Sequence, residues 1–184
     1  FVENPSNPKQ MELFYRANID GNYENRVFLS EDYGKRWKQV DWPESLVSNN
    51  SISQLLFVPE KSGYIIMRSN NDVYLSKDNG KSWDKIDPDT SGNIDQVKVS
   101  PFEPDRIYCV DNRDSNSYSY NIETVIMYSD DEGETWQERV LGGSKKLVNF
   151  DVIGSGSDGR IGLLVDSDRE YTGRNQLSIG RSFN

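Results

Sequence analysis

VYLSKDNGKSW, Val73 to Trp83, decides how this chain folds, because near-copies stand at VFLSEDYGKRW, Val27 to Trp37, and MYSDDEGETW, Met127 to Trp136. The stretches align on Ser30, Asp32, Gly34 and Trp37, on Ser76, Asp78, Gly80 and Trp83, and on Ser129, Asp131, Gly133 and Trp136. A catalytic site is seldom written three times, whereas a turn can be. In Ser-x-Asp-x-Gly-x-x-Trp the short polar side chains can accept bonds from backbone N–H groups one to three residues on. Glycine supplies a positive φ, and tryptophan anchors the returning strand. The apolar pairs before each serine, such as Tyr74 and Leu75, put the motif at the end of a strand. Each box therefore reads as a hairpin corner with a structural task.

The box serines lie 46 and 53 residues apart. Such a period marks stacked or radial repeats, in which one unit cannot bury its face alone. In the second unit SISQLLFV (51–58), GYIIMRS (63–69), VYLS (73–76) and SWDKI (82–86) read as short strands separated by Gly, Pro, Asn and Asp. Four antiparallel strands per period is the plan of a propeller blade. The third unit repeats it with IDQVKVS (94–100), RIYCVD (106–111), TVIMYS (124–129) and TWQERV (135–140). The first unit begins late, at MELFYRA (11–17), and so is expected to lack its inner strand. The last, from LVNFDVIG (147–154) to QLSIGRS (176–182), is expected to lack its outer one.

The expected fold is all-β: four-stranded β-propeller blades with hairpins at the boxes. A partial blade over 1–45 holds the first box, blades over 46–90 and 91–144 hold the second and third, and 145–184 is a partial blade with a degenerate box. Incomplete blades leave open edges and uncovered faces, which points to a sector of a larger propeller.

Thirty acidic residues against 21 Lys and Arg give a net charge of −9, with no basic run. Phosphate-backbone recognition needs clustered cations, so nucleic acid is not an expected partner. No apolar run approaches the roughly 20 residues that span a bilayer, so a membrane enters only through a segment outside this chain. The absence of histidine removes Ser-His-Asp triads and most zinc sites. Cys109 is the lone cysteine and reads as a buried thiol in a strand core, with a half-bridge to a cysteine elsewhere as the alternative. Asn49-Asn50-Ser51 is a possible glycosylation sequon.

Other chemistries compete with the turn. Asp131, Glu132 and Glu134, or Asp78 with Asp84, could offer oxygens to calcium, but calcium wants six to eight at defined spacing, so no metal is expected. Gly154, Gly156 and Gly159 spell GxGxxG without the helix that a dinucleotide loop requires, so no cofactor is expected. Asp111 with Asp114, and Asp166 with Asp168, stand near strand ends and read as acidic turns. Tyr118 and Tyr120, in the insertion before the third box, are possible ligand contacts, because exposed loops carry recognition.

The boxes resemble Asp-box (BNR) repeats, which occur in sialidases, xyloglucanase-type glycoside hydrolases, photosystem assembly factors and sorting receptors. The order of units is a first box hairpin, then the tight hairpin MRSNNDVYLSKDNGKSW, then the long insertion in CVDNRDSNSYSYNIETVIMYSDDEGETW. FDVIG and the degenerate box LSIGRSFN follow. This order is most similar to the luminal propeller of sortilin-type vacuolar protein sorting receptors, a ring of about ten blades. The resemblance implies a non-enzymatic module with no catalytic residue. It would bind proteins or peptides for traffic between Golgi and endosomes or vacuole, in a luminal or extracellular setting, as part of a single-pass membrane protein. The alternative is an Asp-box glycoside hydrolase or a fragment of one, although the sialidase Arg-Ile-Pro segment is not matched by Arg106-Ile107-Tyr108. A third possibility is a scaffold for assembly of another complex.

Overall fold

A computed structural model describes residues 1–40, 42, 46, 52–90, 92–114, 122–140, 147–150, 152, 163–167 and 176–180. Its strands are β1 (Val2–Glu3), β2 (Met11–Ile19), β3 (Asn22–Ser30) and β4 (Lys38–Val40), then β5 (Ile52–Phe57), β6 (Ile65–Ser69), β7 (Asp72–Ser76) and β8 (Asp84–Lys85). β9 (Ile94–Val99), β10 (Ile107–Asp114), β11 (Ile122–Ser129) and β12 (Gln137–Val140) follow, and β13 (Leu147–Asn149), β14 (Leu163–Ser167) and β15 (Gln176–Gly180) close the series. They form three four-stranded sheets and one three-stranded sheet, each in chain order and antiparallel throughout. This is the expected all-β propeller architecture.

The chain divides into two compact units, Phe1–Asp87 and Pro88–Asn184. In the first, Val27 of blade one, Trp42 and Leu46 of the connection, and Ile52, Leu55 and Met67 of blade two share one core. In the second, Tyr108, Val110 and Ile126 pack with Phe150 and Val152. The second strands of the second and third blades are apolar on both faces: Ile65, Ile66 and Met67, and Ile107, Tyr108, Cys109 and Val110, are buried in succession. That is the signature of a strand flanked on both sides rather than of a wet sheet face.

One strand departs from expectation. The first unit does have an inner strand, because Val2 and Glu3 pair with Glu12 and Met11. Two residues ahead of a proline turn carry no periodicity, so β1 cannot be read from pattern. The outer strands are also shorter than the sequence motifs that contain them: β4 and β8 hold three and two residues.

Antiparallel order gives each blade two ends. The box joins the third strand to the fourth, at the end where the first strand turns into the second. The other end carries the hairpin between the second and third strands. The box ends are alike, but the hairpins differ. β2 and β3 run nine residues each and β6 and β7 five. β1 reaches only Met11 and Glu12, and β4 only Val27 to Leu29, so Tyr15 to Arg26 project as a two-stranded arm. The four extra residues per strand amount to roughly 13 Å. Asp20 and Gly21, at φ 52° and 87°, close the arm in a two-residue turn that suits the strand twist.

Candidate functional site

Each box serine is buried and its hydroxyl organises the turn. Ser76 Oγ accepts the Asp78 N–H at 3.3 Å and the Gly80 N–H at 2.8 Å, while donating to Asp78 Oδ1 at 2.9 Å. Asp78 then accepts the Ser82 N–H at 2.8 Å and the Ser82 hydroxyl at 2.6 Å. Ser30 with Asp32, and Ser129 with Asp131, repeat the pattern, with Arg36 and Thr135 in the place of Ser82. The side chains thus reach four residues on, one further than the sequence suggests. Each tryptophan indole N–H donates to the glycine carbonyl of its own box, at 2.9, 3.0 and 3.1 Å for Trp37, Trp83 and Trp136.

These bonds lower the three aspartates to about 2. The Arg36 side-chain bond is the largest cause for Asp32, the Ser82 hydroxyl for Asp78 and the Thr135 hydroxyl for Asp131. A carboxylate that accepts several such donors favours its charged form. Asp78 and Asp131 spend their oxygens on their own turns, and Asp32 spends its on its turn and on Arg36.

A further bond in all three blades escapes sequence reasoning. Tyr33, Asn79 and Glu132, which precede the box glycines, take φ of 61°, 59° and 62° beside glycines at 75°, 81° and 92°. This aims their N–H groups at Lys9, Gly63 and Asp105 carbonyls at 3.1, 2.9 and 3.1 Å. The box is therefore clamped to the loop that leads from the first strand to the second. In the second box, the tightest fit is at Gly80, where a Cβ would lie 2.5 Å from Trp42 Nε1.

The opposite end carries the candidate recognition groups. On the arm Tyr15 and Tyr23 are 45% and 55% exposed. The Tyr15 and Phe28 rings are parallel, with centroids 5.9 Å apart. Arg16 lies over the Tyr23 ring at 4.6 Å, and Arg26 pairs with Glu24 at 3.4 Å.

In the third blade Asp111 is no acidic turn. It stands in β10 with its side chain 0% exposed. Its Oδ2 accepts from Arg113 Nε at 2.7 Å and from the Thr90 hydroxyl, and Oδ1 lies where a Cβ on Gly92 would sit. Arg113 continues to Glu138 at 3.0 Å. The network ties the segment entering the blade to β10 and β12. Two residues beyond Cys109, the strand runs on through Asp111 to Asp114, where polar composition hides it from the sequence. On the other face of β10, Asn112 donates to Asp95 at 2.6 Å and accepts from Thr124 at 2.8 Å. Cys109 is buried and in no disulfide among the described residues. Asn49, Tyr118, Tyr120, Gly154, Gly156, Gly159 and Asp168 lie outside the described residues, and Asp166 lies in β14.

A family model described as a BNR repeat-like domain matches residues 6–145. No curated protein matches the sequence. Among solved structures, the GH74 enzyme of Niastella koreensis is similar over 98% of this chain and 29% of its own, at 17% identity and a TM-score of 0.68. The GH74 xyloglucanase of Xanthomonas campestris is similar over 98% and 28%, at 18% identity and 0.59. YCF48 from Cyanidioschyzon merolae is similar over 98% and 70%, at 10% identity and 0.54. The chain thus spans under a third of the two GH74 enzymes. At these identities the likeness is one of fold, and none of the three is a sorting receptor. It does correct the expectation of a non-enzymatic module, since glycoside hydrolases are similar in fold over nearly the whole chain. The boxes, the blades and the family match agree: the chain belongs to the BNR repeat-like domain family.

Proposed function

We propose that the chain is a glycan-recognising sector of a BNR propeller of the glycoside-hydrolase kind, with the hairpin arm of its first blade as the recognition element. The observation that carries this reading is the contrast between the two ends. At the box end the serines and aspartates of the motif are committed to turns. At the hairpin end a uniform scaffold holds unequal projections, which is where binding groups are placed. The arm offers exposed Tyr15 on one face and exposed Tyr23 on the other, with the amides of Asn18, whose Oδ1 accepts the Gly21 N–H at 3.1 Å, and Asn22, while Arg16 and Arg26 are engaged by Tyr23 and Glu24. Aromatic faces with amides, and cations already engaged, suit a neutral ring bearing hydroxyls. The GH74 likeness supports a glycan as the ligand class. Hydrolysis would need two carboxyl groups flanking the scissile bond. Asp111 is not assigned to that role, because Thr90 and Arg113 hold it inside the sheet.

The test is calorimetric titration of the full chain with xyloglucan and cello-oligosaccharides, with reducing-sugar release followed in parallel. Saturable binding is expected, weakened at least tenfold in Tyr23→Ala with the circular dichroism spectrum unchanged. An absence of binding to every neutral glycan would overturn the reading. A second reading, recognition of a protein or peptide in a luminal or extracellular setting, is favoured by the inner edge of β2 beyond Glu12. An extended peptide could add there as a strand. A peptide that binds Tyr23→Ala as well as the parent chain would favour it.

A further inference from the structure

Glu12 is 2% exposed and lies in the middle of an apolar seam. Across the sheet its row runs through Val2 on β1, Leu29 on β3 and Lys38 on β4. On the same face of blade one, Val2, Phe14 and Val27 pack with Ile52, Leu55 and Phe57 of β5 in blade two. Glu12 Oε2 has no hydrogen-bond partner among the described residues. Neither this environment nor any box motif explains a carboxyl group at this position.

The charged groups around the seam are engaged elsewhere or distant. Lys38 is exposed at the outer end of the row, two strands from Glu12. From blade two, β5 presents Ile52, Leu55 and Phe57, and β7 presents Tyr74, whose hydroxyl donates to Asp72. Lys85 of β8 pairs with Asp72 at 2.9 Å and with Asp87 at 3.5 Å. Two polar bonds fasten the blades at the box end: Gln10 Nε2 donates to Asn79 Oδ1 at 3.0 Å, and the Glu60 N–H donates to Ser6 Oγ at 2.5 Å. Away from that end the seam is held by apolar contact. A neutral carboxyl is tolerated in such a place, but a carboxylate without partners is strongly disfavoured.

We propose that Glu12 is a proton-operated latch between the first two blades: the seam is closed while its carboxyl is neutral and loosens when the proton leaves. Burial pushes the group up to about 8, which places the transition just above neutrality. The latch is independent of the glycan reading. It would couple the position of the arm, carried on β2 beside Glu12, to the proton concentration.

The experiment is a carbon-detected titration of the Glu12 carboxyl in the full chain. It is combined with amide hydrogen exchange of β1, β2 and β5 between pH 6 and 9.5, corrected for the intrinsic dependence of exchange on pH. A midpoint near 8 is expected, with seam exchange rising at least tenfold in the parent chain and staying flat in Glu12→Gln. If that variant does not fold, Glu12→Met preserves the apolar volume and serves in its place. A carboxyl that titrates near its ordinary value, or a seam that opens alike in parent and variant, would overturn the latch.

Discussion

Tyr33 holds φ at 61°, where a bulky side chain is strained and asparagine or glycine is at ease. The second box has Asn79 at this position, and the first and third have Tyr33 and Glu132. Tyr33→Asn should therefore stabilise the fold by about 0.5–1 kcal/mol, read as a shift in the urea midpoint with unchanged slope. Glycine is tested the opposite way. Gly21 at φ 87° has nothing within 4 Å of where a Cβ would stand, so Gly21→Ala should cost only the backbone term, about 1 kcal/mol. Gly80→Ala adds a collision with the Trp42 indole and should cost roughly 3 kcal/mol. Equal losses at the two glycines would show that Trp42 does not pack on the box. The serine, aspartate and glycine of each box are legible as a turn because their side chains act locally. The left-handed residue before each glycine is not, because what fixes it is a carbonyl 16 to 27 residues away in the chain.

At the scale of elements, the boxes make the same internal bonds but do not carry equal weight. Trp83 packs against Trp42 with ring centroids 4.6 Å apart and joins the core shared by the first two blades. Trp37 is exposed beyond its bond to Gly34. Trp83→Ala should cost about 3 kcal/mol and Trp37→Ala about 1, measured by chemical denaturation. Strands are legible where apolar residues alternate or run together, as in IIMRS. They are hidden where the partner supplies the order: β1 exists because Met11 and Glu12 face it, and β10 continues through Asp111 to Asp114 because β11 pairs with it residue by residue. The Thr90, Asp111 and Arg113 network is invisible in the sequence for the same reason. The arm is legible only as an Asp-Gly turn, since its projection depends on how short β1 and β4 are.

For the molecule as a whole, two opposing titrations set the pH of greatest stability. Asp32, Asp78 and Asp131 are lowered from 3.8 to about 2, so the stability they contribute is present above 3.8 and is lost as the pH falls through 2. Glu12 is raised from 4.5 to about 8, so its contribution is complete below 4.5 and is lost as the pH rises through 8. Urea midpoints measured from pH 2 to 9 should peak near pH 4, fall steeply on the acid side and decline more gradually on the other. Glu12→Gln should flatten the upper limb, recovering on the order of a few kcal/mol at pH 8. A maximum at neutral pH in the parent chain would contradict the burial of Glu12.

The clamp from Tyr33 and Asn79 to the facing loop gives each of the first two blades a closed buckle at one end and a hairpin of its own length at the other. A buckle of this kind isolates what it holds: lengthening, shortening or exchanging a tip leaves the fastening untouched. Each blade is then an interchangeable mount, and new specificities can be tried at its tip without renegotiating how the mount folds.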